Sequence, residues 1–237
     1  MISYLIASYR PDAVKGTIKS IEALPPHDHE IVIVTPYPEE NYDNVRFIID
    51  ERRCGSTYAF NKGSAYCKGD WVIVGIDDHT ISYDVNQFLK VVEGEYVQSF
   101  QYQVLNLGSP WTDCLARNIA GHGVKLGPDI PPEILNYRWP VITFPAISKK
   151  TIVTQFDGQI FNPNIRHHFV DHWIGLYVSV RQPGYNFNLC GNGSAWNQHW
   201  PGENCDRSHD DHDADIFCKL AARFIANPNA YGYTTPL

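Results

Sequence analysis

No stretch of this 237-residue chain is apolar for long enough to span a bilayer. Its opening, MISYLIASYRP, has neither a basic leader nor an apolar run of secretory length. The expectation is a cytoplasmic protein with no transmembrane segment. Cysteine is sparse and scattered: Cys54, Cys67, Cys114, Cys190, Cys205 and Cys218 contain no C-x-x-C pair. That excludes a zinc ribbon or a thioredoxin-type site and leaves reduced, mostly buried thiols. Positive charge is in short supply, with 19 Lys and Arg against 26 Asp and Glu and a formal net charge of −7. Such a surface argues against nucleic-acid binding by phosphate neutralisation. Glycine-rich phosphate loops are missing too. There is no G-x-x-x-x-G-K-[ST] and no G-x-G-x-x-G after a strand, which argues against an ATPase or a NAD enzyme. A serine hydrolase lacks its G-x-S-x-G elbow.

What is present is ordinary globular material, 43% hydrophobic and 19% charged, enough to bury a large core. Residues 2–8 read as a buried strand. Pro11 then suits the first turn of a helix on which Val14, Ile18 and Ile21 recur at helical spacing until Pro25-Pro26. Strands follow at 30–35 and 45–49, a helix at 55–69, a strand at 71–76, a helix around Val85, Phe88, Leu89 and Val92, and a strand at 96–102. Strands alternating with short helices predict an α/β fold with a mostly parallel central sheet. Residues 104–144 carry many glycines and prolines and little periodicity, and read as a functional excursion over the sheet edge. Helices are expected at 147–156, 169–180 and 213–225, with a short strand at 185–189. No linker or internal repeat divides the chain, so one domain spans 1–237.

The stretch GSTYAFNKGSAYCKGDWVIVGIDDH, residues 55–79, carries the sharpest chemical signal. Ser56 can cap its helix, and Gly69 can end it in the left-handed conformation. The apolar run after it suits a strand covered on both faces, and ends in Asp77, Asp78 and His79. Ligands bind at that edge of open α/β sheets. Adjacent carboxylates repel unless a cation compensates, and a period of two puts Asp77 and His79 on one side. Oxygen and nitrogen donors together suit Mn²⁺ or Mg²⁺ holding a diphosphate. The plainer reading is a polar turn that caps the next helix.

Other polar groups carry similar pairs of readings. His199, in Trp196-Asn197-Gln198-His199, is a metal ligand or a surface histidine. The cluster from His209 to Asp213 is a functional site or a solvated acidic loop entering the last helix. Asp171, in HHFVDHW, is a general base at the mouth of a cleft or an ordinary first-turn helix carboxylate.

Together these motifs resemble a GT-A fold glycosyltransferase of the family 2 kind, over nearly the whole chain. SYLIASYRP is similar to the family's first strand and its nucleotide-contacting turn. Residues 55–79 resemble its glycine-started helix, A-x-N-x-G core and strand leading into the D-x-D motif. PAISKKTIVTQFDGQIFNP resembles the acceptor-side segment, and VDHWIGLYVSVRQPGYNFNLCGNGSAWNQH the acidic helix, glycine turn and terminal histidine. The resemblance implies a three-layer, Rossmann-like sandwich in which residues 1–103 bind the nucleotide sugar and 104–237 the acceptor. It implies Asp77, His79 and His199 as ligands of Mn²⁺ or Mg²⁺, and Asp171 as catalytic base. Ser8, Tyr9, Arg10, Asn61 and Asp78 fall on the nucleotide-sugar side. The implied partners are a nucleotide-diphosphate sugar and a carbohydrate or other hydroxyl acceptor, joined with inversion. The chain departs from the family at Thr35-Pro36-Tyr37, where an acidic residue for the base is common, and at His79, where aspartate is usual. Two other classes fit parts of the pattern: a metal-dependent phosphohydrolase using the His/Asp clusters, and a non-catalytic nucleotide-sugar-binding module.

Overall fold

The computed structural model describes residues 1–38, 42, 44–52, 54–77, 79–128, 130–190 and 210–236, Pro11 and Asp210 through their backbone alone. The first half alternates strand and helix: β1 (Ile2–Ala7), α1 (Pro11–Glu22), β2 (His29–Thr35), β3 (Val45–Ile49), α2 (Ser56–Ser64), β4 (Trp71–Ile76) and α3 (Val85–Glu93). Then come α4 (Glu95–Gln98), β5 (Val104–Asn106), β6 (Trp111–Cys114), α5 (Leu115–His122), α6 (Pro132–Leu135) and β7 (Arg138–Val141). The chain closes with β8 (Pro145–Ser148), α7 (Lys149–Gln155), α8 (Val170–Arg181) and α9 (Asp210–Ala226). Among the described residues the main sheet has the order β3-β2-β1-β4-β8-β5, and β6 pairs with β7 in a separate ribbon.

β1 to β4 pair in parallel, whereas β8 lies antiparallel between β4 and β5. Valine and isoleucine crowd the inner strands because both faces are covered. One face, with Tyr4, Ile6, Ile31, Ile33 and Ile73, packs on α1 and α3 through Val14, Ile18, Phe88 and Val92. The other, with Leu5, Val32, Val34, Val72 and Val74, packs beneath α2, α8 and α9 through Phe60, Trp173 and Phe217. This is the α/β three-layer sandwich with a mostly parallel sheet that the sequence implied. No described helix is long and apolar enough to cross a membrane.

Several local expectations fail for physical reasons. The helix at 55–69 stops at Ser64, and its N-cap is Gly55 at φ 96°, where a Cβ would stand 2.7 Å from the Arg166 carbonyl oxygen. Ser56 sits inside the helix and bonds the His167 ring at 2.7 Å instead of capping. Gly69 is not left-handed. It is glycine because its backbone lies against β1, where a Cβ would meet the Ser3 nitrogen at 2.6 Å. The strand expected at 96–102 is α4 and a turn, with Val97 buried and Tyr96 packed edge-on against Phe100. Residues 104–144 contain β5, β6, α5, α6 and β7 where little regular structure was expected, and Ala146 and Ile147 belong to β8, so α7 begins only at Lys149. Residues 185–189 form no strand, although the Phe187 carbonyl accepts the Asn106 amide at 2.8 Å.

Candidate active site

The C-terminal edge of the sheet gathers polar groups from three strand ends. Asp77 follows β4 and is 4% exposed. Its Oδ2 accepts from the Ser8 hydroxyl at 2.8 Å and from Arg10 Nε at 3.1 Å, while Arg10 Nη2 contacts Oδ1. Ser8 and Arg10 are placed by the turn between β1 and α1, where the Arg10 amide donates back to Ser8 Oγ at 3.1 Å. Thr17 of α1 pins the turn after β4, its hydroxyl 2.9 Å from the carbonyls of both Asp77 and His79. Asp77 and His79 lie beyond the end of the strand at Ile76, so a strand's period of two does not govern their directions. Both are nonetheless buried. Beside them, Asp50 ends β3, accepts from the Tyr9 hydroxyl at 3.3 Å and pairs with Lys62 at 3.6 Å.

Asn61 on α2 spends its amide on protein: Nδ2 donates to the Phe161 carbonyl at 2.8 Å, and Oδ1 accepts the Phe161 amide at 2.9 Å. It clamps the helix to the segment before α8, and lines a cavity of about 350 Å³ with Thr57, Lys62 and Arg166. Asp78 and His199 lie outside the described residues.

A second cavity, about 400 Å³, opens between the β6–β7 ribbon, α5 and the start of α8. Asp171 lines it from the first turn of α8, its Oδ1 accepting the His172 amide at 2.9 Å. Trp111, Asp113, Arg117, His168 and His172 share the wall. The segment carrying His168 is held from behind by Asp213. That buried carboxylate accepts the backbone amides of Arg166, His167 and His168 at 3.1, 2.7 and 2.9 Å, and bonds His212 at 3.1 Å. Burial alone would raise its pKa, but these donors outweigh burial and hold it below the usual carboxylate range.

No protein-family model and no curated protein sequence matches the chain. Solved structures do. The mannosyltransferase PcManGT from Pyrobaculum calidifontis, in complex with GDP-Man and Mn²⁺, aligns over 98% of this chain at 11% identity and TM-score 0.58. Glucosyl-3-phosphoglycerate synthase from Mycobacterium tuberculosis, with Mn²⁺, UDP and phosphoglyceric acid, aligns over 100% at 14% identity and TM-score 0.57. S. aureus TarS 1-349 with UDP-GlcNAc aligns over 93% at 13% identity and TM-score 0.55. The chain spans 65% of the first of these proteins, 87% of the second and 66% of the third. The fold is GT-A.

On the GT-A sheet edge, Ser8, Arg10 and Asp77 converge, and Tyr9 joins them through Asp50 rather than through Asp77. Asp171 stands apart from this edge cluster, in the cavity under the ribbon. In kind, the donors Asp77 and His79 fit a hard or borderline divalent cation, and their burial at a ligand-binding edge fits it too. Among the described residues no three His, Cys, Asp or Glu side chains are placed to hold one ion together, and Arg10 holds the Asp77 carboxylate. Trp111, Asp113, Arg117 and His122 were not anticipated. Alternation along β6 puts the Trp111 indole and the Asp113 carboxylate on one side, but no apolar pattern in Trp111-Thr112-Asp113 marks that strand in the sequence.

Proposed function

We propose that the chain is a metal-dependent inverting glycosyltransferase that moves a sugar from a nucleotide-diphosphate sugar to an acceptor hydroxyl. One observation carries the reading: in a GT-A fold, a buried carboxylate, Asp77, ends the central β4 and is tied to the turn after β1 by Ser8 and Arg10. The three similar structures, bound to nucleotides or nucleotide sugars and two of them to Mn²⁺, support a donor of that class. Residues 1–103 would form the donor half and 104–237 the acceptor half of one catalytic domain, although β5 and β8 of the second half complete the common sheet.

Asp77 and His79, with His199, would hold Mn²⁺ or Mg²⁺, and Asp78 would touch the donor's ribose or sugar. When bound, that ion neutralises charge building on the departing diphosphate. Ser8 and Arg10 position the Asp77 carboxylate and, with Tyr9, would lie at the donor's base and ribose. The acceptor oxygen attacks the anomeric carbon from the side opposite the diphosphate. As the new C–O bond forms, the bond to the diphosphate oxygen breaks with its electron pair, and the acceptor proton passes to the Asp171 carboxylate. The transition state is oxocarbenium-like and the product is inverted.

The phosphohydrolase reading would set His167-His168, Asp171-His172 and the Asp210 to Asp213 groups around two metals, and of these Asp213 already accepts three backbone amides and an imidazole. A thermal-shift panel of nucleotide sugars, with and without Mn²⁺, tests the transferase reading. Stabilisation that requires Mn²⁺ and is lost in Asp77→Ala is expected. Asp171→Asn should keep the shift and lose transfer. Unchanged turnover in Asp171→Asn points to another base, binding with no turnover in wild type points to a module, and no shift with any nucleotide sinks the reading.

A further inference from the structure

Asp113 and His172 wall the same cavity as Asp171 yet have no part in the reaction as written above. Asp113 is 4% exposed and mostly filled from its own turn: Oδ1 accepts the Cys114 amide at 2.8 Å with Arg117 at 3.5 Å, and Oδ2 accepts Asn118 Nδ2 at 3.1 Å, which leaves Oδ2 room for one more donor. The remaining neighbour crosses from α8, where His172 Nδ1 lies 3.5 Å from Oδ2. A carboxylate so filled with donors is poorly suited to ligating a cation and well suited to orienting an imidazole. The contact is long, as such couples often are before a substrate arrives.

The His172 ring is fixed by aromatic edges on several sides. Trp111 stands 5.4 Å away at 84°, Phe169 at 5.2 Å, Phe217 at 5.7 Å and Trp139 at 6.4 Å. Nδ1 is buried. An Nδ1 proton turned towards Asp113 would leave Nε2 as the ring's acceptor. Trp111 is 45% exposed, an indole left in water at the cavity's rim. A flat aromatic face beside planar polar groups is suited to a sugar ring, whose C–H face packs on the indole while its hydroxyls reach the polar wall.

We propose that His172, held by Asp113, is a positioning residue that accepts a hydrogen bond from the acceptor and sets the attacking hydroxyl beside Asp171, with the acceptor's sugar ring on Trp111. The role rests on the transferase reading for its substrate, but the Asp113–His172 couple does not. Nitrogen-resolved NMR of the wild-type chain should therefore find His172 as the Nδ1–H tautomer, shifting towards Nε2–H in Asp113→Asn. An Nε2–H tautomer in wild type overturns the couple.

Kinetics test the role itself. With methyl glycosides of glucose, mannose, galactose and N-acetylglucosamine as acceptors, His172→Gln should lower transfer kcat by about 10- to 100-fold. Its donor KM should stay near wild type, which a general loss of the fold would not allow. Trp111→Ala should raise acceptor KM about 10-fold with little change in kcat. Saturation transfer from the protein to the glycosides should weaken in Trp111→Ala, and none to any of them in wild type overturns the Trp111 placement. If wild type responds to nucleotide sugars but His172→Gln transfers normally, the His172 role alone falls. If wild type shows no nucleotide-sugar response, the transferase reading falls and takes the role with it.

Discussion

Asp77 and Asp213 are both buried carboxylates, but their surroundings ask different things of them. Asp213 faces three backbone amides and an imidazole, so it fastens the start of α9 to the chain entering α8. Because its folded pKa is depressed, its contribution is full above about pH 5 and is lost as the pH falls through the folded value. Asp213→Asn should cost about 2–3 kcal/mol near neutrality and flatten the acid limb of stability, read by urea melts between about pH 3 and pH 7. A variant whose acid limb matches wild type would show that Asp213 is not the group responsible. Asp77, by contrast, faces a charged side chain within reach of solvent, since Arg10 is 35% exposed. If Arg10 competes with a cation for that carboxylate, Arg10→Gln should bind Mn²⁺ about 10-fold more tightly, measured by paramagnetic resonance of free Mn²⁺. Unchanged or weaker binding would mean that Arg10 supports the site instead.

At the scale of elements, α8 is positioned by a glycine. A Cβ on Gly175 would lie 1.6 Å from the Pro140 carbonyl oxygen, so the helix can rest on β7 only with no side chain at that position. Gly175→Ala should destabilise by about 3 kcal/mol and disturb the cavity shared by Asp171 and Trp111, which thermal melts and glycoside binding would report together. A fully stable variant with an intact cavity would contradict that packing. The first four strands were legible in the sequence because their valines and isoleucines form runs long enough to have a period, and β4 was read to the residue. β5 to β8 were not, because three or four residues hold too little alternation, and Trp111-Thr112-Asp113-Cys114 carries no apolar pattern. Tyr96 to Tyr102 misled through aromatic content that packs as a short helix and turn. Asp77 and Asp171 were legible as candidate groups. Asp213's role was not, since its backbone partners lie 45 to 47 residues away and any sequence can supply an amide.

Across the whole molecule, the chain after α9 acts as a clasp. Tyr233 is fully buried, stacked 3.9 Å from Phe156, and its hydroxyl donates to the Ile160 carbonyl at 2.7 Å. Its own carbonyl accepts from Asn162 at 2.8 Å and from Trp173 at 3.2 Å, so one residue joins three separate segments. Tyr233→Ala should lower stability by about 4 kcal/mol, measured by urea denaturation, although it touches neither cavity. A loss under about 1 kcal/mol would mean that the segment is dispensable.

The antiparallel β8 also dictates an order of events during synthesis. β1 to β4 can zip together as soon as residue 76 has left the ribosome, but the neighbour of β4 is not made until residue 148. Until then one side of a valine-rich strand offers unpaired amides and carbonyls, a template for pairing with another chain. Folding should therefore show an early, protected four-strand core and a later phase in which the β4 edge closes, resolved by pulsed hydrogen exchange. The nascent chain is most exposed to aggregation while the ribbon that builds the second cavity is still being made.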